Sequence, residues 1–225
     1  ISPVCDYNKR WELRFGAEPQ RVERIYNSVD TEFFQPYPKP PETERFPTVV
    51  AATRVFPLKD IETMLRAAAL VRDRIPNVRF IVYGSTTDEP EYYARCKALM
   101  EKLRLGRNFT FAGLCERSHK IYTTGDISLI SSVSEAFPFA VIESMACGRP
   151  VVATDVGGIR EILQGLGVLV PPRNPEALAE GIVELLTNEP KRTSLAEKAR
   201  AEVVEKYHKE VFTNAYLDLY QRLFD

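Results

Sequence analysis

The chain has 225 residues, of which 44% are hydrophobic and 27% charged, and its formal net charge is −1. This length accommodates one large domain, or one domain plus a fragment. The near-neutral charge argues against a nucleic-acid partner. The sequence has no long apolar run, so no membrane span is expected.

The cysteines and histidines are few and scattered. The chain has four cysteines, without metal-type spacing, and two histidines, so no metal site is expected from them. Cys96 and Cys147 fall on predicted apolar helix faces, which is typical of free thiols in a reducing compartment, and we expect a cytoplasmic protein. The sequence contains neither a Walker loop nor a G-x-G-x-x-G fingerprint.

The N-terminal stretch has mixed character. Tyr7, Trp11 and Phe15 are spaced four apart, which predicts a helix within residues 1–18. Residues 21–30, RVERIYNSVD, are predicted to form a short strand and a turn that mainly connect. Residues 35–47 contain five prolines and are predicted to be a stiff linker. The first residue is not methionine, and we expect a piece of a longer protein.

The first buried strand is predicted over Thr48–Arg54, because small and β-branched residues dominate it. Asp60 is the expected N-cap of the helix that follows. That helix has one apolar stripe, made of Ile61, Met64, Leu65, Ala68 and Val71. Arg54 and Lys59 then lie together at the carboxyl end of the strand, where they could grip a diphosphate. Taken alone, the pair is more often two solvated cations.

Further strands and helices alternate along the chain. Strands are predicted over residues 78–83 and 108–112, with a helix between them. The apolar face of that helix consists of Tyr92, Cys96, Leu99, Met100 and Leu103. A strand is predicted over residues 166–170, followed by a helix capped by Asn174 and another over about 191–207. The last helix has an aromatic and leucine stripe from Phe212 to Leu223, for which core packing is favoured over a binding surface.

The central stretch, residues 126–158, organises the rest. It contains an apolar strand, a small polar loop, a helix over residues 138–147, and a second strand over 150–154. Pro138 suits the first helical position, and Gly148 is expected to close the helix in a left-handed cap. This is a crossover in a parallel sheet, so a ligand is expected at the loop. The N-terminus of the helix favours an anion there, flanked by Glu135 and Glu143. Alternatively, both glutamates are structural, and spacing alone supports only an anion-binding α/β site.

Together these elements predict an α/β fold, a doubly wound parallel sheet of about six strands with helices on both faces. The run EAFPFAVIESMACGRPVVATDVGG resembles the sugar-nucleotide site of retaining family-4 glycosyltransferases with the GT-B fold. Those enzymes have two glutamates separated by seven residues, as Glu135 and Glu143 are here. Ala136 departs from the family, in which glycine is common, and its methyl group could narrow the sugar pocket.

The resemblance implies a role for each site residue. Glu135 would lie near the donor sugar and Glu143 would bind the ribose hydroxyls. Arg54 and Lys59 match a second family signature, R-x-x-x-x-K, whose residues contact the donor diphosphate. The catalytic set is then Glu135, Arg54 and Lys59. The remaining donor-binding positions are Phe137, Pro138 and Phe139. Backbone amides near them would stabilise the leaving group.

The implied activity is transfer of a sugar from a nucleoside-diphosphate sugar, UDP-sugar being favoured, to a sugar or glycan acceptor. No cofactor or metal is expected, and the sequence has no D-x-D motif. The resemblance divides the chain into the end of a missing N-terminal domain with its linker (1–47), the donor-binding domain (48–206) and a C-terminal helix that crosses back (207–225). The acceptor would bind mainly to the missing domain, so this piece alone should be inactive.

Two other functions stay open. A nucleotide-sugar 2-epimerase would bind the same donor without an acceptor, and a non-catalytic nucleotide-binding module would keep the fold without the reaction. Within the family, the sequences of residues 56–67 and 88–103 are most similar to the Pel-type exopolysaccharide branch.

Overall fold

The computed structural model describes residues 1–37 and 46–224. The predicted linker therefore lies largely outside the described residues. Short 3-10 turns occur at Pro19–Arg21 and Pro57–Lys59. The strands are β1 (Thr48–Ala52), β2 (Arg79–Tyr83), β3 (Phe109–Gly113), β4 (Ile127–Ile130), β5 (Val151–Thr154) and β6 (Val168–Val170). The helices are α1 (Asp6–Arg14), α2 (Ile61–Arg74), α3 (Pro90–Lys102), α4 (Ser118–Thr124), α5 (Phe139–Ala146), α6 (Ile159–Leu163), α7 (Pro175–Thr187), α8 (Glu189–Lys206) and α9 (Lys209–Phe224).

The strands form one parallel sheet in the order β3-β2-β1-β4-β5-β6. The chain builds outward from β1 to β3 and then returns to add β4 on the other side of β1, where Val49 pairs with Ile127. The helices that flank the two strands at this reversal diverge and leave a crevice beyond their carboxyl ends, which is where ligands bind in such sheets. The predicted doubly wound fold is confirmed.

Two hydrophobic clusters cover the two faces of the sheet. On one face, α2 packs against α3 and α7, and α7 lies on β4, β5 and β6. The predicted stripe of α2 is buried as expected. On the other face, α5 and α6 pack with α8 and with the N-terminal stretch, whose Cys5, Val22 and Val29 are buried. Residues 1–34 therefore share the core of the sheet.

Two sequence predictions are corrected, and one helix was not predicted. Residues 21–30 form no strand, and only an isolated bridge joins Val29 to His208. Helix α4 was not predicted, because only Ile121 and Tyr122 in it are buried. The stripe on α9 is not core, since that helix has no buried residue and Leu223 is 69% exposed. The other helices already cover both faces of the sheet, so α9 has no face left to bury.

In residues 1–37 and 46–224, none of the helices combines the length and the apolar character that crossing a membrane requires.

The N-cap of α2 gives a test of local stability. Asp60 has a left-handed backbone, with φ of 46°, and its carboxylate accepts from the N–H and the hydroxyl of Thr63 at 3.3 and 2.7 Å. Asp60→Ala should lower the free energy of unfolding by about 0.5–2 kcal/mol for the lost cap, and strain at positive φ adds about 1 kcal/mol. Asp60→Gly accepts this φ and should cost only a few tenths. Urea denaturation measures both, and equal losses would show that the backbone conformation contributes nothing.

Candidate functional site

An open cleft of about 380 Å³ lies beyond the carboxyl ends of β1 and β4. Its walls come from three segments: the loop after β1, the loop after β4, and the start of α5. The polar and charged residues that line it are Thr53, Arg54, Lys59, Ser131, Ser132 and Glu135. Phe137, Pro138, Phe139 and Ala140 are among the apolar residues that line it. Six of the seven residues predicted for the site therefore meet in this cleft, which we call the switch-point cleft.

Helix α5 begins at the wall of the switch-point cleft. Pro138 was expected at the first helical position but is the N-cap, with φ −73° and ψ 126°, and its side chain makes no cap hydrogen bond. Phe139 and Ala140 therefore start the helix at the cleft, where the first backbone N–H groups of a helix attract negative charge. Gly148 closes the helix with φ of 63°, in the left-handed conformation that the sequence predicts.

Lys59 and Glu135 are joined directly. The Lys59 ammonium donates to Oε1 of Glu135 at 2.6 Å, and the Ser132 hydroxyl donates to the same oxygen at 2.6 Å. The Ser131 hydroxyl donates to the backbone carbonyl of Lys59 at 2.7 Å. The two serines thus fix the relative positions of Lys59 and Glu135, which are distant in sequence. Within the described residues, Oε2 of Glu135 has no hydrogen-bond partner.

Arg54 lies on the other side of the switch-point cleft. Its guanidinium contacts Asp88 at 3.0 Å, and Asp88 also accepts a short hydrogen bond from the Ser85 hydroxyl. These contacts, with the Ser85 bond the larger, lower the pKa of Asp88. Sequence reasoning did not predict the pairing. The available signal was that Asp88 follows β2, and the end of β2 lies beside the end of β1.

Glu143 does not line the switch-point cleft among the described residues and lies on the second turn of α5. Its Oε2 accepts a hydrogen bond of 2.7 Å from the hydroxyl of Tyr122, on α4. Burial raises the pKa of Glu143, and the Tyr122 hydrogen bond opposes that rise. Burial together with the Glu143 carboxylate raises the pKa of Tyr122 well above its usual range, so the phenol is a permanent donor.

A pair of glycines supports the loop after β4. A side chain at Gly157 would place its Cβ 1.6 Å from the carbonyl oxygen of Glu135, and one at Gly158 would lie 2.1 Å from that of Ala136. The Gly158 N–H donates to the Ala136 carbonyl at 3.0 Å. The loop after β5 therefore packs backbone against backbone with the loop that presents Glu135, which only glycine permits.

The N-terminal stretch also holds this loop. The Asn27 side-chain amide donates to the Phe137 carbonyl at 3.1 Å, and the Phe137 ring contacts those of Tyr26 and Tyr207 with centroids 5.1 and 5.3 Å apart. The Phe137 carbonyl, which lies next to the start of α5, therefore accepts its hydrogen bond from Asn27. The turn expected mainly to connect is thus part of the wall behind the site.

In the part of the chain that the structure describes, no group of three or more His, Cys, Asp or Glu residues is arranged to hold a metal ion.

Residues 33–202 match the family described as glycosyl transferases group 1. The chain belongs to this family. Among its relatives, D-inositol 3-phosphate glycosyltransferase of Mycobacteroides abscessus is 34% identical over 185 residues, a match that covers 76% of this chain and 40% of the relative. Alpha-galactosylglucosyldiacylglycerol synthase of Streptococcus pneumoniae is 29% identical over 224 residues, covering 92% and 56%. The chain thus spans about half the length of these curated relatives.

Two solved structures have the same fold. Anabaena HepE in complex with UDP superposes with a TM-score of 0.91 at 21% identity, covering 99% of this chain and 63% of HepE. Sucrose-phosphate synthase of Thermosynechococcus elongatus superposes with a TM-score of 0.89 at 25% identity, covering 100% of this chain and 58% of the synthase. The parallel sheet and its helices are therefore the Rossmann-like architecture of GT-B glycosyltransferases.

The burial of Glu143 predicts a pH dependence of stability. Since the folded state raises the pKa of Glu143, it binds the proton more tightly than the unfolded state, and stability falls as pH rises from about 4.3 through the folded pKa. Glu143→Gln removes this titration and should stabilise the protein at pH 8, by about 1.4 kcal/mol for each unit of elevation.

The gain in melting temperature should shrink as pH falls toward about 4, where the wild-type carboxyl is also neutral. The matched control is Glu101→Gln, which removes an exposed glutamate on α3. A gain from Glu143→Gln that is the same at pH 8 and at low pH would contradict the argument.

Proposed function

We propose that the chain is the donor-binding half of a retaining glycosyltransferase, which transfers a sugar from a nucleoside-diphosphate sugar to an acceptor. The observation that carries the proposal is the switch-point cleft itself. It assembles Arg54, Lys59, Glu135 and the start of α5 at the reversal of the sheet, in a chain of the glycosyl transferases group 1 family.

The cleft presents positive groups to the negative charge that the reaction would create. Breaking the bond between sugar and phosphate leaves positive charge on the anomeric carbon and negative charge on the departing diphosphate. Arg54, Lys59 and the backbone amides at the start of α5 would stabilise the diphosphate, which is the largest electrostatic demand of the step. These cations and amides supply that stabilisation without a metal or other cofactor, and we propose that none is used.

Lys59 would connect the two halves of the donor. An ammonium has three hydrogens, and one of them is committed to Oε1 of Glu135. The other two can reach phosphate oxygens while Glu135 offers Oε2 to a sugar hydroxyl. Lys59 would then couple the negative charge that develops on the diphosphate to the Glu135 carboxylate, which holds the sugar. Glu143, further along α5, would bind the ribose.

The donor we favour is a UDP-sugar. Anabaena HepE, which has this fold, has been solved with UDP and with UDP-glucose. For the acceptor we propose a growing glycan of the exopolysaccharide type, as the resemblance to the Pel branch suggests, bound mainly by a preceding domain. The exposed stripe on α9, with Leu217 and Tyr220 more than half exposed, would pack on that domain. A cytoplasmic location is proposed from the four free cysteines.

The direct test is calorimetric titration of the chain with UDP, GDP, ADP and their sugars. UDP should bind, and at a hundred times its Kd it should stabilise the fold by about 2.7 kcal/mol in a melting experiment. Transfer to an added acceptor should be absent with this chain alone. If no nucleotide of the panel binds, the proposed function is wrong.

Arg54→Ala should weaken UDP much more than uridine. A hydrogen bond to a charged group contributes about 1.5–3 kcal/mol, so the loss should be roughly 10- to 150-fold for UDP, while the nucleoside has no phosphate to lose. Arg74→Ala is the matched control, because Arg74 forms a similar surface pair, with Glu180 at 2.6 Å, at the far end of α2. Equal weakening of UDP and uridine binding would show that Arg54 does not contact the phosphates.

The two glutamates should differ in their ligand dependence. Glu135→Gln should weaken UDP-sugar by roughly 10-fold and spare UDP, because Glu135 would contact only the sugar. Glu143→Gln should weaken both ligands alike, because both contain the ribose. Titration of each variant with UDP and UDP-sugar measures this. Should Glu135→Gln weaken UDP as strongly as Glu143→Gln does, the assignment of roles is refuted.

A further inference from the structure

Tyr122 has a buried phenol whose hydroxyl donates a hydrogen bond to Glu143. Its side chain has no exposed surface and its ring lies 6.2 Å from that of Phe34 in the second hydrophobic cluster. A buried tyrosine hydroxyl normally finds a hydrogen-bond partner, and here the partner is Oε2 of Glu143 at 2.7 Å. A phenol has one hydrogen to donate, so the whole donor capacity of Tyr122 is spent on this carboxylate.

The carboxylate is held at one oxygen only. Within the described residues, Oε1 of Glu143 has no hydrogen-bond partner. Helix α4, which contains Tyr122, is itself held by Arg149. The Arg149 guanidinium donates to the Tyr122 backbone carbonyl at 2.8 Å. The direction of the Glu143 side chain is thus set by an anchored donor from a neighbouring helix and not by its own flexible torsions.

The other ionisable groups near Glu143 do not replace this contact. Cys147 follows one turn later, and burial raises the pKa of its thiol to about 12, which keeps it neutral. Arg149 binds the carbonyl of Tyr122, and Arg200, from α8, binds the carbonyls of Phe34 and Ala146. Among the described residues, Tyr122 is the group that donates a hydrogen bond to the carboxylate itself.

We propose that Tyr122 is a positioning residue for nucleotide binding: it orients the Glu143 carboxylate so that Oε1 accepts from the ribose hydroxyls of the donor. This inference rests on the proposed function, since it assigns the ribose to Glu143. It adds a residue of α4, which the sequence signatures of the site do not include. Tyr122 acts through Glu143 and does not itself contact the ligand.

The test is a double-mutant cycle, measured by titration with UDP. Tyr122→Phe keeps the buried ring and removes the hydroxyl, and it should weaken UDP by roughly 10-fold. In the E143Q background the same change should have an effect of less than about 3-fold, because the carboxylate that it orients is gone. A purely structural role would weaken binding by the same factor in both backgrounds.

Tyr92→Phe is the matched control. Tyr92 is also buried, and its hydroxyl accepts from the Ile61 N–H at 2.9 Å on the opposite face of the sheet. Its loss should change UDP affinity by the same factor with and without E143Q. A second readout needs no ligand: in carbon-13 spectra, Tyr122→Phe should move the titration midpoint of the Glu143 carboxyl to higher pH, because the hydrogen bond that lowers its pKa is removed.

The outcomes separate this inference from the proposed function. If the chain binds UDP and Glu143→Gln weakens it, but Tyr122→Phe has no effect or an additive one, only the role of Tyr122 is overturned. If the wild-type chain binds no nucleotide, the proposed function fails and the ribose role of the pair fails with it. An unchanged Glu143 midpoint in Tyr122→Phe would refute the orienting contact directly.

Discussion

The pairing of β4 with β1, instead of with β3, is the constraint on which the site depends. Every strand of this sheet is parallel and covered on both faces, so its interior is mainly apolar. At the reversal the loops after β1 and β4 leave in different directions. Polar residues that follow these strands, Arg54 and Ser132 among them, therefore meet although they are distant in sequence.

The charged side chains of the ligand-free cleft are already paired. Lys59 contacts Glu135 and Arg54 contacts Asp88. Water weakens the more exposed Arg54 pair most. A diphosphate would not meet two bare cations but two partly neutralised ones. The cation that lies deeper is Lys59, whose side chain is 24% exposed against 58% for Arg54, so the two contribute differently: Lys59 is held in place, whereas Arg54 is free to change its partner.

Local pattern was sufficient for most of the secondary-structure elements. The stripe of α2, the cap at Asp60 and the left-handed Gly148 follow from neighbours a few residues away, and the sequence predicts them correctly. The glutamates and cations were predicted from a family signature, and the structure brings Arg54, Lys59 and Glu135 into one cleft.

What the sequence could not supply are contacts between distant segments. The donor to Glu143, Tyr122, and the partner of Arg54, Asp88, lie on other loops or helices, and no local periodicity marks them. Helix α4 was missed for a related reason: it is short, has no side-chain cap, and is stabilised by packing more than by its own sequence.

The attachment of Asn27 to Phe137 has a practical consequence for protein engineering. Residues 1–34 precede the proline-rich segment in sequence, yet Cys5, Tyr26 and Asn27 form the outer support of the loop that presents Glu135. A chimera that joins this sheet to the first half of another glycosyltransferase must therefore transplant residues 1–34 together with the sheet. A crossover placed at residue 48 would exchange the support of the loop along with the foreign half, and donor recognition would change even though every residue of the family signatures was kept.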